Sequence, residues 1–248
     1  MRGLAYALLP QLILGRLRQL REQYRNRTRS AEDVFTEIYE TAAWGGRRGE
    51  LCSGSGSADR EMVAAYVAAV AAKAASEGFL GRTFVDLGCG DFRVGKELLP
   101  LCSRYVGVDV VAAVVERNER EHGDATTRFV HLDIVRDPLP DGDVCFVRHV
   151  LQHLSNPQIL AILPKLAKYR WVFITEHHPT DDDRIVPNRD MVHGGYVRLS
   201  KSSGVYLGAP PFALPEQCLT KVMEIPGVSI GAGRDAGVIR TFLYEPRR

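Results

Sequence analysis

Two periods of apolar residues alternate through the middle of this chain. Thr83–Leu87, Tyr105–Asp109, Arg128–Leu132, Asp143–Val147 and Trp171–Thr175 are short, nearly continuous apolar runs with the length and β-branched or aromatic content of buried strands. Arg93–Cys102, Val111–His122 and Asn156–Lys168 lie between them and read as helices. Such an alternation predicts a parallel, doubly wound sheet. Upstream, Asp59–Gly78 is an alanine-rich helix stopped by Gly78, and Ala31–Ala43 is a second helix capped by Ser30 and ended at Trp44 and Gly45-Gly46. Downstream, Pro179–Ala213 reads as loop, Leu214–Glu224 as a helix, and Val228–Ile230 and Val238–Tyr244 as strands that close the sheet. No internal repeat is evident.

Polar residues at the ends of the predicted strands give this frame a chemistry. The first strand ends in Asp86-Leu87-Gly88-Cys89-Gly90-Asp91, a glycine turn that lets backbone approach a ligand closely. Gly88 and Gly90 supply two glycines of a dinucleotide fingerprint, but Arg93 holds the third position and Gly95 follows two places late. Asp86 and Asp91 repel phosphate and welcome an ammonium group. S-adenosylmethionine, with a cationic amino acid end and a ribose, fits this loop better than NAD does. Asp109, about twenty residues on, is placed to clamp both ribose hydroxyls, with Val110 beside it. Asp133 suits the adenine amine and Ile134 the ring face, while the fourth strand delivers Arg148-His149 at its carboxyl end. Ligands of open α/β sheets bind outside those ends.

Val85–Asp91, Gly107-Val108-Asp109, Leu132-Asp133-Ile134 and Arg148–Leu154 together resemble the successive motifs of class I S-adenosylmethionine-dependent methyltransferases. The resemblance runs from about Phe35 to the C-terminus. It includes Phe35–Glu40, Trp44-Gly45 and Ser53–Ser57, a signature similar to that of a small-molecule and sugar O-methyltransferase subgroup. It implies a Rossmann-like seven-stranded sheet with a reversed edge pair, here with an N-terminal helical extension. It also implies that the glycine- and serine-rich residues 45–57, by composition a plain linker, fold over the ligand as a lid, with Trp44 and Ser57 as ligand neighbours. Where this chain has Arg148-His149 the subgroup tends to have Arg-Asp, so a titratable imidazole stands at the methyl-transfer position.

Composition narrows the setting. The 248 residues, 45% hydrophobic, suffice for one α/β core, and we divide them into an N-terminal segment (1–57) and a catalytic domain (58–248). Five cysteines without a C-x-x-C pair argue against a disulfide framework or a zinc site and point to the reducing cytoplasm. The net charge of +2 conceals a basic start: residues 1–30 hold seven arginines against Glu22, a net +6, which leaves −4 for the remainder. Leu4–Leu14 is apolar but contains Pro10, lacks a signal cleavage site and is far shorter than the ~20 residues of a membrane span. Within residues 1–29, Leu12, Ile13, Leu17, Leu20 and Tyr24 follow helical spacing, with Arg16, Arg18, Arg21 and Arg25 on other faces. Such a helix packs on its own domain or on a second subunit of a homo-oligomer, or lies on an anionic membrane, the first pair being preferred. Nucleic acid is disfavoured because one aromatic, Tyr24, stands among the arginines.

Methyl transfer to an alcohol requires alignment and removal of the hydroxyl proton. His149 is the candidate base. His153 lies four residues on, and Glu176, at the end of the fifth strand, is placed to orient an imidazole or bind substrate. Glu176–Asp183, Asn188, Asp190 and His193 form a polar stretch open to two readings. One is a divalent cation site, magnesium for example; the other is recognition of a polyhydroxylated acceptor, with Arg184, Arg189, Tyr196 and Arg198. The second leads to a sugar or glycan acceptor, such as a mannoside in polysaccharide biosynthesis. Gly204–Phe212 reads either as a further acceptor wall or as a proline-ordered packing loop. The alternatives to O-methylation are N-methylation of a small molecule and a non-catalytic nucleoside-binding protein that docks through its basic tail.

Overall fold

The computed structural model describes residues 15, 17–180, 184–227 and 236–246. Helix α1 (residues 17–26) is followed by α2 (Ala31–Glu40), the single turn α3 (Ser55–Ala58) and α4 (Arg60–Glu77). The alternating core then runs β1 (Arg82–Leu87), α5 (Arg93–Leu98), β2 (Cys102–Asp109), α6 (Ala112–His122), β3 (Thr127–His131), β4 (Val144–Arg148), α7 (Asn156–Leu166) and β5 (Trp171–His178). Strands β6 (Leu219–Pro226) and β7 (Val238–Tyr244) finish it. The seven strands are ordered β3-β2-β1-β4-β5-β7-β6, parallel from β3 to β5, with β7 antiparallel to both β5 and β6. The order reverses between β1 and β4, which opens a crevice at their carboxyl ends.

The caps predicted at Ser30 and Gly78 form as expected, and Asp59 supplies a third. Ser30 Oγ accepts from Asp33 N at the start of α2, Asp59 accepts from Glu61 N and Met62 N at the start of α4, and Gly78 ends α4 in the left-handed region. Residues of period 2 divide the core. Val85, Leu87, Val106, Val108, Cys145 and Val147 face α2 and α7, so the N-terminal segment shares one core with the sheet. Phe84, Tyr105, Phe146, Trp171 and Phe173 face α4 on the other side, where Phe146 stacks on Phe173 at 5.4 Å.

The predicted helix Leu214–Glu224 is replaced by one 3-10 turn (Glu216–Cys218) and strand β6. Its register shifts between Lys221 and Met223, so Leu219, Val222 and Met223 fall three and four residues apart, an apolar spacing that imitates a helix. The predicted strand Val228–Ile230 lies outside the described residues, as do Leu12, Ile13 and Arg16.

Buried Arg198 anchors the long loop after β5. Its guanidinium donates to Arg189 O (3.2 Å), Leu151 O (3.0 Å) and Asn156 Oδ1 (2.8 Å), which tethers that loop to the β4–α7 connection. Arg198→Ala strands these acceptors in the interior, and we expect it to destabilise the fold by about 3–5 kcal/mol in urea denaturation. Arg198→Lys should recover only part, because an ammonium cannot reproduce the planar fork.

Candidate active site

A cavity of about 1140 Å³ occupies the crevice above β1 and β4. Its first wall is the glycine loop. Gly88 N and Cys89 N donate to Val108 O, while Gly90 N and Val111 N donate to the two oxygens of Asp109, each at 3.0 Å. Gly88 and Gly90 have positive φ (79° and 55°), and a Cβ would lie 2.4 Å from Val150 Cγ2 at the first and 2.3 Å from Ser53 Oγ at the second. Only glycine leaves room for both neighbours. Asp86 is buried and accepts from Tyr105 Oη at 2.5 Å. Burial raises its carboxyl from an ordinary 3.8 to about 6, against the opposing effects of Tyr105 and the Arg148 charge. Burial also raises Asp109, partly offset by the N–H groups it accepts. Val110, Asp133 and Ile134 line the same end of the cavity.

The glycine- and serine-rich segment folds over the loop. Ser53 Oγ accepts from Asp91 N (2.7 Å), and Ser53 N donates to Asp91 Oδ2 (3.0 Å); Tyr39 Oη shares a further bond with Ser53 Oγ (2.9 Å). Arg148 donates to Gly56 O (2.8 Å) and lies over the Tyr66 ring. Ser53–Ser57 line the cavity with Trp44, whose Nε1 donates to Gly195 O. Asp91, expected as a second acid facing the ligand, does not line the cavity. Its carboxylate is spent on the lid, a pairing 38 residues long that local sequence does not display.

The three candidate catalytic residues separate in the same way. His149 lines the cavity directly after β4, with positive φ (55°), its backbone N donating to Thr175 O and its ring against Gly56. Its buried Nε2 has no hydrogen-bond partner. Burial, then the charge of Arg148, holds the imidazole well below its ordinary value and so neutral. His153 also lines the cavity, but no helix joins it to His149; a 3-10 turn (Leu151–His153) intervenes. Its Nδ1 donates to Gly194 O (3.1 Å), so its Nε2 accepts from Gln152 Nε2 (3.3 Å), and burial lowers it to about 4. Packed against Trp44 at 5.0 Å, it has a structural position. Glu176 does not line the cavity and hydrogen-bonds to neither imidazole. Its oxygens accept from Leu151 N (2.9 Å) and Gln152 N (3.1 Å), and burial pushes it to about 8. It shapes the turn that presents His149.

Most of the polar stretch after β5 is scaffold. His177 Nε2 donates to Ala236 O and His178 Nε2 to Val205 O; Asn188 bonds four backbone groups between Tyr206 and Pro210; Asp190 accepts from Asn156 N and Met191 N. His193 Nδ1 meets Gln158 Nε2. Among the described residues no three His, Cys, Asp or Glu side chains gather to hold a metal, and Asp181–Asp183 lie outside them. Val205, Leu207 and Phe212 are core, so that run is a packing loop. Arg184, Arg189, Tyr196 and Lys201 line the far end of the cavity. Sequence reasoning missed Ser53 and Tyr105, which hold the loop acids, and Arg198, expected to meet the acceptor and instead buried.

Comparison with known proteins agrees with this geometry. A family model described as a methyltransferase domain matches residues 85–162. No curated protein matches the chain. Among solved structures, the N-methyltransferase NodS from Bradyrhizobium japonicum WM9, in complex with S-adenosyl-L-homocysteine, is similar at 13% identity, covering 86% of this chain and 98% of that one with a TM-score of 0.55. Human N-acetylserotonin methyltransferase, in complex with S-adenosylmethionine, is 16% identical over 89% of this chain and 61% of its own, with a TM-score of 0.48. At 13% identity the likeness to NodS is one of fold. The chain therefore has the fold of class I methyltransferases, and residues 85–162 match a methyltransferase-domain model.

Proposed function

We propose that this chain is an S-adenosylmethionine-dependent O-methyltransferase acting on a polar acceptor, a sugar or glycan by preference, with His149 receiving the hydroxyl proton. The residues present suit the donor. Asp86 is a desolvated carboxyl on the cavity wall that a cation would stabilise, Asp109 and Asp133 are acids at the next strand ends, and Val110 and Ile134 offer apolar surface for a ring. When bound, the donor supplies an activated methyl group on a sulfonium. The protein's tasks are to orient the acceptor and to take up its proton.

The unpaired Nε2 of His149 carries the reading. A buried ring nitrogen without a partner costs about 1–3 kcal/mol, and a non-glycine residue at positive φ adds strain. The unpaired nitrogen is accounted for if an acceptor hydroxyl donates to it. The imidazole is neutral, as a base must be before it acts. A second reading, N-methylation, is favoured by one observation: Glu176 is committed to backbone amides, so among the described residues no carboxylate bonds the His149 ring to raise its basicity, and an uncharged amine needs little help.

His149→Ala separates the two. For a hydroxyl acceptor we expect kcat to fall about 10²–10⁴-fold while calorimetry with S-adenosylhomocysteine shows unchanged donor affinity. Turnover within a few-fold of wild type would leave N-methylation or a structural histidine.

Asp86→Asn tests the donor end, and stability and affinity should move in opposite directions. Because the folded-state value of Asp86 is raised, its contribution to stability is complete below about pH 4 and is lost as pH rises through 6. The amide still accepts from Tyr105 but carries no charge. We expect the ligand-free variant to gain about 1–3 kcal/mol at pH 8 in denaturant unfolding, and to bind S-adenosylhomocysteine at least about tenfold more weakly. Unchanged affinity would remove Asp86 from the cationic end of the donor.

A further inference from the structure

Helix α1 is packed the wrong way round for a helix that belongs only to a soluble domain. The face turned inward is polar: Gln19 Nε2 donates to Ser200 Oγ (3.1 Å), Glu22 Oε1 accepts from Gly195 N (3.4 Å), and Asn26 Nδ2 donates to His193 O (3.2 Å). With Gln23, these residues recur at i, i+3, i+4 and i+7, one stripe of the helix. Opposite them, Leu17, Leu20 and Tyr24 are 49%, 62% and 76% exposed. An amphipathic helix ordinarily buries its apolar stripe. Here that stripe is left to solvent.

The charges beside it identify what covers it. Arg18, Arg21 and Arg25 recur at i, i+3 and i+7 and flank the apolar stripe on the outward side. Arg25 pairs with Glu37, but Arg18 and Arg21 have no carboxylate within ion-pair distance among the described residues. A second copy meeting this face would set arginines against arginines. An anionic surface with an apolar layer beneath it satisfies both stripes at once. No described helix is long and apolar enough to cross a membrane. We propose that α1 docks this protein on an anionic membrane surface, with Leu17, Leu20 and Tyr24 entering the headgroup boundary and Arg18 and Arg21 meeting lipid phosphates. Gln19, Leu20 and Gln23 also line the cavity, so docking brings one wall of the active site to the lipid.

The test is flotation of the full chain with vesicles of phosphatidylcholine alone and with vesicles in which about a third of the lipid is phosphatidylglycerol. Wild type should float with the anionic vesicles and not with the neutral ones. Leu17→Glu/Leu20→Glu should abolish flotation, and Arg18→Glu/Arg21→Glu should reduce it about tenfold or more. The positions are exposed, so Tm by circular dichroism should be nearly unchanged; if one variant fails to fold, the other carries the test. Three results would overturn the proposal: no flotation of wild type, flotation indifferent to both substitutions, or a wild-type dimer in sedimentation that Leu17→Glu/Leu20→Glu converts to monomer without any flotation.

Discussion

Carboxylates buried at the carboxyl ends of the strands are the constraint around which this molecule is arranged. A buried acid is tolerated where fixed dipoles meet it, and each one here recruits donors that in turn set a loop. Asp109 accepts from the backbone of Gly90 and Val111, which holds the first glycine loop against β2. Asp86 accepts from Tyr105 on the neighbouring strand. Glu176 accepts from Leu151 and Gln152 and so bends the chain after β4. The cavity takes its shape from these pairings.

A division of labour follows along the crevice. On the β1–β2 side the acids remain on the wall, where burial raises the carboxyl of Asp86. On the β4–β5 side the acid is withdrawn beneath the turn, and the imidazole of His149 lines the cavity in its place, beside Arg148 and His153. Arg198 then fastens the loop after β5 to that same turn. The lid joins the two sides, through Ser53 to Asp91 and through Gly56 to Arg148. Displacement of either contact would therefore be felt in both halves.

Features governed by neighbours in sequence were legible before any coordinates. The strand and helix periods from α2 to β5 and the caps at Ser30 and Gly78 appear where the pattern predicts. Features governed by distant partners were not. Asp91 and Glu176 have the composition of site residues, yet their partners lie 38 and about 25 residues away and draw them out of the cavity. Arg198 resembles any surface arginine until three separate acceptors close around it. Strand β6 was misread because its irregular pairing with β7 breaks the alternation that marks a strand.

The irregular glycine spacing of the first loop illustrates how a departure from a motif can be informative. In a dinucleotide site the third glycine permits close packing of helix on strand beside a bound phosphate. Here Gly95, two places late, serves that packing role for a different group: a Cβ at this position would lie 2.1 Å from Tyr105 Oη. The space it leaves is filled by the hydroxyl that bonds Asp86. The residue entering α5 is Phe92, in the left-handed region and without a capping side chain, and α5 itself spans six residues. Loop and helix together therefore sustain a carboxylate where a dinucleotide fold would receive a phosphate, and the packing between β1, β2 and α5 holds that acid in place.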